Sequence, residues 1–597
     1  MTRTRSAVGT RRVLRALAVL WILCVLGGCA SMPSHGKVQD ATRDDAAEKA
    51  DEQQVRVFGV PPQQDEKPTA LVEGFLEAVT SDEPDYATAR KYLTPATANA
   101  WQPVGVKVIE SSPRANTPAS SPPETNMISV AVNGKLVAEV AGDNTYQPIK
   151  SEVRDYHFEL LRGGDGQWRI DKLPNVVLLS KADFRRIYTS VNLYWFSKTS
   201  DRLVPDPIYL RSRVSLMTTL AKQLLVGPTQ NIEPAVETMF PAVPSRTAIL
   251  DHTVSVDDDN AVHIQLTDEP RAVAMAECPK MATQMLYTLR QVAKVESVEL
   301  TDRQGTLCVQ FRTSAQTYDA ATPTAPVDGY FIGQSHRDVW RLRIDRASPE
   351  KLGGALGDGS QMFSQIAVSR GSQPQIAAVD GTEEKLLVGN VDTGVLTTLA
   401  QAAPGHTFRS PSWGDKGVWV LEESKDHGTS DVVWIGATPD EKMKVPINIE
   451  GLGSKVTDIR VSPDGTRVAL LTTGGQFLYV GIVTSTGSPS HDIKVTITGL
   501  RAPIPDLADA KSVSWNGTSR LVVLGTQDRG SMQPQYVDVD GGNPTAVAAI
   551  AGMVRVAAPD GADQPLLANI DNNSVFRLEP GNNWRQVTLG SYPAYPG

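Results

Sequence analysis

The stretch VTDIRVSPDGTRVALLTTGGQFLYVG, residues 456–481, decides the fold of the C-terminal half of this chain. Two short runs rich in β-branched and apolar residues lie on either side of Ser-Pro-Asp-Gly, which is the pattern of two strands joined by a tight turn. Pro463 fixes the φ angle at the start of the turn, and Gly465 supplies a positive φ at its end. The stretch therefore predicts an antiparallel hairpin.

Similar hairpins recur along residues 325–597, where helical stripes are absent from the sequence. The spacings between successive turns are 43, 50, 52 and 44 residues, counted at Ser369, Ser412, Ser462, Ser514 and Ala558. One four-stranded propeller blade needs about 40–50 residues. We therefore predict an all-β propeller of five blades, or of six if GYFIGQ and DVWRLRID (residues 329–345) form a blade closed by the C-terminal strands. The turn itself resembles the Ser-Pro-Asp-Gly repeats of TolB-type propellers.

The N-terminus has the order of an export signal. Residues 1–15 carry five arginines and no acid, and residues 16–28, ALAVLWILCVLGG, are apolar. A basic segment followed by a short apolar run is typical of a signal peptide. The run is too short to span a hydrocarbon core, which takes roughly 20 residues. We predict a signal peptide over residues 1–28.

The end of this segment, Leu26-Gly27-Gly28-Cys29, resembles the lipobox of bacterial lipoproteins. That resemblance implies cleavage between Gly28 and Cys29, an S-diacylglycerol group on the Cys29 thiol and a palmitoyl chain on its new amino group. A cysteine thiolate is nucleophilic enough for the first step, and two or more acyl chains anchor a protein stably. We expect a protein anchored by lipid to the extracytoplasmic face of the cell membrane.

The charge balance excludes one class of partner. Loss of residues 1–28 would leave 53 basic and 67 acidic residues, a net charge of −14. Nucleic-acid binding needs a concentrated basic surface, so we expect no nucleic-acid partner. Residues 29–67 are polar and charged after the cysteine, and such a segment cannot bury enough apolar area to fold alone. They are predicted to be a flexible tether.

Residues 68–182 predict an α+β domain. Apolar residues recur at helical spacing in PTALVEGFLEAV, residues 68–79, and strand patterns follow. Asn133-Gly134 between two apolar alternations is a hairpin signal, and the glycine-rich residues 163–166 predict a second hairpin turn. Helices followed by antiparallel strands are typical of this fold class.

Residues 186–315 predict a second α+β domain. Two strands precede a helix over residues 212–228, and a hairpin turns at Asp257–Asn260. A second helix is predicted in PKMATQMLYTLRQVAKV, residues 279–295, followed by two closing strands. This order resembles the GerMN module of spore-germination proteins and actinobacterial lipoproteins.

Cys278 and Cys308 are the two cysteines that remain after cleavage and lipidation. They form an even pair in an exported protein, and a helix packed on the sheet that it feeds can bring its start near the closing strand. We predict one disulfide between them. The alternative is two separate buried thiols.

No motif for catalysis or metal binding emerges from the sequence. The eight histidines are scattered, and none pairs at metal-ligand spacing. Asp257-Asp258-Asp259 lacks the glycine and the distal glutamate of a calcium loop and favours a solvated turn. Trp413, Trp419, Trp434 and Trp515 favour blade packing, although a glycan groove is an alternative. We expect no enzyme, no catalytic residue, no metal and no cofactor.

The order of lipobox, α+β domain, GerMN-like module and propeller resembles the LpqB family of actinobacterial lipoproteins. The resemblance rests on GGCASMPS (27–34), WRIDKLPN (168–175), LVPDPIYL (203–210) and PSWGDKGVWV (411–420). Residues 167–174 also resemble the closing strand of nuclear-transport-factor-2-like (NTF2-like) domains.

Resemblance to the LpqB family implies a function in signalling. Members work with the sensor kinase MtrB and its response regulator MtrA in cell-envelope homeostasis. The implied partner is the extracytoplasmic region of a membrane sensor kinase. An alternative function is an envelope-assembly or cell-wall-binding scaffold built on a TolB-like propeller.

Overall fold

The fold is taken from a computed structural model, which describes residues 58–597 with short gaps. The gaps are residues 117–125, 213–215, 241–248, 250–252, 268–270, 321–326, 344–345, 347, 439–440, 448–454, 475–476, 489–490, 528–529 and 562–563. In these described ranges no helix is both long and apolar enough to cross a membrane. The described chain from Phe58 onward lies within one compact unit.

The first domain packs short helices against a six-stranded sheet. Its helices are α1 (Pro68–Ala78), α2 (Pro95–Ala100) and α3 (Lys181–Ile187). Its strands are β1 (Val106–Ile109), β2 (Arg114–Asn116), β3 (Met127–Val140), β4 (Tyr146–Arg162), β5 (Trp168–Lys172) and β6 (Val177–Ser180). The strand order is β5-β4-β3-β1-β6, with β2 also paired to β3. Helix α1 buries the apolar face that its sequence spacing predicts, including Leu71, Phe75 and Leu76.

The predicted hairpin at Asn133-Gly134 is wrong. Strand β3 runs straight through both residues, and Gly134 pairs with Arg154 of β4. A Cβ atom at Gly134 would lie 2.4 Å from Cγ2 of Ile109, so this glycine allows a close approach of side chain to backbone. The Asn133 side chain accepts a hydrogen bond from Asn116 instead of forming a turn. The second predicted turn, at residues 163–166, does join β4 to β5.

Both predicted boundaries of the first domain need correction. The sequence predicts that residues 58–67 belong to the flexible tether, but the Tyr92 hydroxyl donates to the carbonyl of Val60 at 2.8 Å. Asp65 and Gln167 also exchange two hydrogen bonds, so this segment is part of the fold. At the other end, Phe184 and Ile187 of α3 lie in the core of the first domain. The domain therefore continues to Ile187, beyond the predicted end at residue 182.

The second domain has two three-stranded sheets and two longer helices. Its elements are β7 (Tyr188–Ser197), β8 (Leu203–Arg211), α4 (Leu216–Val226), β9 (Val236–Glu237), β10 (Ala261–Gln265), α5 (Arg271–Leu289), β11 (Ser297–Asp302), β12 (Gly305–Phe311) and α6 (Arg312–Ala315). The sheets have the orders β8-β7-β9 and β10-β11-β12. Strands β10 and β11 are parallel and are connected through α5.

Helix α5 begins earlier than the sequence predicts. Pro279, which was placed at its start, lies inside the helix. A proline inside a helix removes the hydrogen bond to the carbonyl four residues earlier, here that of Met275. The Met275 side chain is half-exposed, so the loss falls on a part of the helix that water can reach.

The third domain is a propeller of six blades. Four blades are regular four-stranded sheets: β16 (Phe363–Val368) to β19 (Leu396–Gln401), β20 (His406–Gly414) to β23 (Lys442–Lys444), β24 (Val456–Val461) to β27 (His491–Arg501), and β28 (Leu507–Trp515) to β31 (Thr545–Ala546). Their middle strands are β17 (Gln375–Asp380), β18 (Lys385–Asn390), β21 (Gly417–Ser424), β22 (Ser430–Ile435), β25 (Arg467–Thr472), β26 (Leu478–Ser488), β29 (Arg520–Gln527) and β30 (Gln533–Asp538).

The two remaining blades share one long strand, β35 (Asn583–Ala594). Its first half pairs with β34 (Ser574–Glu579), which continues into β33 (Leu567–Ile570) and β32 (Met553–Ala557). Its second half pairs with β13 (Gly329–Gly333), which continues into β14 (Val339–Leu342) and β15 (Glu350–Lys351). The C-terminal strand thus closes the propeller on its first strands, as the six-blade alternative predicts.

Two of the repeated serines of the sequence, Ser412 and Ser514, join neighbouring blades. Oγ of Ser412 accepts a hydrogen bond from the backbone N–H of Val461 at 3.0 Å, and Oγ of Ser514 accepts from Ala558 at 2.9 Å. Each contact links the innermost strand of one blade to that of the next. The indole N–H of Trp515 donates to the carbonyl of Arg460 in the preceding blade. These residues therefore have a blade-packing role.

Candidate functional site: the junction of the three domains

The three domains meet at one junction. The backbone N–H of Tyr209, on β8 of the second domain, donates to the carbonyl of Asn144 in the first domain at 2.9 Å. From the propeller, Arg467 donates to the carbonyl of Pro205, which is also on β8. The apolar cores are continuous as well, since Tyr209 packs into the core of the first domain and Ile482 into that of the second.

Asp206 lies at the centre of this junction and is 2% exposed. Its carboxylate accepts hydrogen bonds from the indole N–H of Trp195 at 3.0 Å and from the N–H and hydroxyl of Thr229 at 2.9 and 2.8 Å. Burial raises the pKa of Asp206, while the hydrogen bonds from Thr229 and Trp195 and the charge of Arg467 oppose the shift. Hydrogen bonds from three donors offset the free-energy cost of burying this carboxylate inside the protein.

Arg467 of the propeller places a positive charge at the junction, near Asp206. It lies two residues after Gly465 of the Ser-Pro-Asp-Gly turn, and its side chain is 4% exposed. Burial lowers the pKa of Arg467, and the carboxylates of Asp464, Asp206 and Asp540 oppose that shift. The Oδ1 atom of Asp464 is itself fixed by the hydroxyls of Ser462 and Thr466, each at 2.6 Å. The Asp464 carboxylate of this turn therefore lies beside the Arg467 guanidinium, which contacts the second domain.

Two glycines of the propeller allow the close approach of the other domains. Gly541 has a φ of +93°, and a Cβ atom there would lie 2.4 Å from the carbonyl oxygen of Pro503 and 2.5 Å from Cγ of Pro148. A Cβ atom at Gly542 would lie 1.8 Å from the hydroxyl oxygen of Tyr209. Real Cβ atoms do not come so close to other atoms, so both positions need glycine.

Replacing either glycine by alanine is expected to loosen the junction. We expect Gly541→Ala and Gly542→Ala each to lower the free energy of unfolding by about 1–3 kcal/mol, since the added methyl group forces neighbouring backbone or Tyr209 to move. Urea denaturation of the full chain measures the change. The matched control is Gly561→Ala, at which nothing lies within 4 Å of the new Cβ. Equal stability of all three variants would contradict this account of the interface.

Asp540 makes the junction sensitive to pH. Its Oδ1 accepts from the N–H of Gly542 at 2.8 Å, while Oδ2 is buried without a hydrogen-bond partner among the described residues. Burial, reinforced by the charge of Asp538, raises the pKa of Asp540 to about 7, and Arg467 opposes the shift. An unfolded aspartate titrates near pH 4.

The folded state therefore binds a proton at Asp540 more tightly than the unfolded state does. This contribution to stability is fully present below about pH 4, declines between about pH 4 and 7, and is lost as the pH rises through about 7. We expect Asp540→Asn to remove this part of the pH dependence and to stabilise the protein at pH values above about 7. Urea midpoints at several pH values measure both effects, and an unchanged profile in the variant would refute the assignment.

A second polar cluster lies on the propeller axis. Arg460 is within 2.9 Å of the carboxylate of Asp458, and Arg555 lies 3.9 Å from the other oxygen of that carboxylate. The guanidinium of Arg555 also lies over the ring of Tyr592, 3.8 Å from its centre. Ser410 and Tyr592 both have positive φ values, of 52° each. The free volume here is only about 50 Å³, room for one or two water molecules.

Neither cluster is apparent from the amino-acid sequence. Asp206, Arg467 and Asp540 are widely separated in sequence, and each lies in a segment that predicts an ordinary strand or turn. The only local signal is a charged residue at the end of an apolar strand. That signal is too common to indicate a buried site.

The structure describes only some of the site residues that the sequence predicts. Gly28 and Cys29 lie outside the described residues. Cys278 and Cys308 are joined by a disulfide with a Cα–Cα distance of 5.9 Å, which links α5 to β12. Over the described residues, no group of three or more His, Cys, Asp or Glu side chains is placed to hold a metal ion.

The aspartate turn at residues 257–259 forms an ion pair with the side chain of His263. Asp257 Oδ2 lies 2.9 Å from Nε2 of His263, and Glu299 Oε2 lies 2.7 Å from Nδ1 of the same ring. The hydrogen bonds to Asp257 and then Glu299 raise the pKa of His263. The four tryptophans are likewise in packing roles, since Trp419, Trp434 and Trp515 are buried and Trp413 is partly buried in a blade core.

Comparison with known proteins assigns all three domains. The family model described as "Lipoprotein LpqB, N-terminal domain" matches residues 61–185. The model described as "Sporulation and spore germination" matches residues 192–303, and "Lipoprotein LpqB beta-propeller domain" matches residues 338–596.

Relatives match along the entire chain. "Lipoprotein LpqB" of Streptomyces coelicolor is 34% identical, with 100% of both chains covered, and that of Streptomyces avermitilis is 33% identical, with 99% of both covered. "Lipoprotein LpqB" of Mycobacterium tuberculosis is 26% identical over 98% of this chain and 100% of its own. With this identity over the full length and with two domain models specific to these lipoproteins, the chain belongs to the LpqB family.

Proposed function

We propose that this protein is a lipid-anchored regulator on the extracytoplasmic face of the cell membrane. It acts by binding the extracytoplasmic region of a two-component sensor kinase of the MtrB–MtrA type, and it contributes in this way to cell-envelope homeostasis. It does so by protein binding, without turnover of a substrate. Membership of the LpqB family supports the anchor and the envelope location.

The observation that carries the proposal is the junction. Buried charges, hydrogen bonds and shared apolar cores join the three domains, so the described residues from Phe58 onward lie within one compact unit. Such a unit presents surfaces of all three domains in a fixed relation to each other. That arrangement suits recognition of a partner protein, which takes interfaces of about 800 Å² on each side.

The sequence between anchor and folded unit limits where the partner can be. Residues 30–57 can span at most about 100 Å when fully extended. A partner bound by this protein therefore lies within reach of the same membrane surface. The extracytoplasmic region of a membrane kinase meets this condition.

The proposal is tested by recovery of the lipidated protein from detergent-solubilised membranes, with mass spectrometry of what accompanies it. We expect the sensor kinase to be recovered with the wild-type chain. Recovery of envelope-assembly or wall proteins without any kinase would contradict the proposal and support a scaffold.

The matched variant is Cys29→Ser. It should lack the diacylglyceryl group, leave the membrane fraction and lose the kinase. Undiminished membrane attachment of this variant, with no lipid on wild-type Cys29, would refute the anchor.

A further inference from the structure

A cavity of about 380 Å³ lies between the first domain and the propeller. One wall is the helix α3 with the neighbouring strands of the first domain, and the opposite wall is formed by residues 503–506 and 541–544 of the propeller. Nothing in the domain junction described above accounts for the charges that line it.

The first-domain wall carries an excess of positive charge. Lys135 is paired with Glu110 at 3.2 Å, but Lys181 and Arg185 form no ion pair with any described residue. They are one helical turn apart on α3, so they project from the same face and repel each other. Burial, followed by the charge of Arg185, lowers the pKa of Lys181; the Glu110 carboxylate opposes this shift and Lys135 adds to it.

Such an arrangement costs stability unless an anion compensates it. A partly buried ammonium group is normally paired, whereas the Glu110 carboxylate that acts on Lys181 is already paired with Lys135. The whole chain carries a net charge of −9, so the positive charge on this wall is opposite in sign to the net charge of the protein. The geometry therefore favours a ligand with a phosphate or carboxylate group.

The rest of the cavity indicates a ring with hydroxyl groups. The ring of Tyr146 is partly exposed in the cavity wall and packs on the buried rings of Phe184 and Tyr209, with ring centres 4.9 to 5.8 Å apart in this cluster. Aromatic walls bind flat, partly apolar ligand faces. Asp506 and Asn543 add oxygen atoms that can accept hydrogen bonds from hydroxyl groups.

The volume limits the size of the ligand. Small-molecule sites measure roughly 300–1,000 Å³, and this cavity is near the lower end. We propose that it binds a single anionic sugar unit, a hexose ring that carries a phosphate or a carboxylate, with Lys181 and Arg185 as the residues that contact the anionic group.

Titration calorimetry of the full-length chain in detergent tests the proposal with four probes: glucose 6-phosphate, glucuronate, glucose and inorganic phosphate. We expect at least one of the two anionic sugars to bind, and to bind about tenfold or more tightly than glucose or inorganic phosphate. Equal affinity for phosphate alone would overturn the sugar assignment. Absence of binding by both anionic sugars would overturn the proposal.

Variants locate the binding. The double variant Lys181→Gln with Arg185→Gln should lower the affinity for the anionic sugar about tenfold or more. The control Lys444→Gln, which removes a 68% exposed lysine of the propeller, should leave the affinity unchanged. The double variant should melt at the wild-type temperature or slightly above it, because it removes a repulsion. Wild-type affinity in the double variant would place the ligand elsewhere and overturn the site.

Discussion

Asp206→Ala is expected to lower the free energy of unfolding by about 3–5 kcal/mol, the largest effect of any single substitution considered for this protein. The substitution leaves the indole N–H of Trp195 and both donors of Thr229 buried without an acceptor. It also removes a carboxylate that faces the buried Arg467. Breaking one side of a buried charge arrangement costs more than the attraction alone, because the other charge remains desolvated.

Calorimetric or urea unfolding of the full chain measures this effect. The matched control is Asp201→Ala in the same domain, whose side chain is 77% exposed and pairs with Lys280. Exposed ion pairs contribute about 0–1 kcal/mol, so the control should change little. If the two variants lost equal stability, the buried network would not be the element that holds the junction.

Reduction of the Cys278–Cys308 disulfide is expected to lower the free energy of unfolding by about 3–4 kcal/mol in the chain-entropy model. The bond closes a loop with a sequence separation of 30 residues, so its loss increases the freedom of the unfolded chain. It also releases helix α5 from β12, and Cys278 is fully buried in the core of the second domain.

Unfolding with and without reductant measures the contribution of the disulfide. The double variant Cys278→Ala with Cys308→Ala provides the control, because reductant should not destabilise it further. A wild-type chain whose unfolding is insensitive to reductant, with both thiols shown to be free afterwards, would refute the stabilising role.

The sequence predicts the propeller well because its signals are local. Pro463 and Gly465 specify their turn through their own backbone preferences, and the spacing of the turns then gives the length of a blade. The sequence leaves the number of blades at five or six, and the division of β35 between two sheets decides for six. That pairing joins the two ends of the domain, which turn spacing cannot indicate.

Local signals fail where distant parts of the chain meet. Asn133-Gly134 has the composition of a hairpin, but Ile109 packs against Gly134 and the strand continues. Arg467 follows a turn that the sequence specifies, whereas its acceptor, the carbonyl of Pro205, is 262 residues away. The junction therefore depends on pairings between segments that each have an ordinary strand or turn pattern.

Binding between the purified full-length lipidated chain and the extracytoplasmic region of the proposed sensor-kinase partner is the decisive measurement for the proposed function. Both should be placed on one detergent or bilayer surface, and the affinity should be followed in the wild type and in Gly542→Ala. We expect saturable binding by the wild type and weaker binding by Gly542→Ala, in which the junction is disturbed. Absence of binding by a folded, lipidated wild-type chain would contradict it.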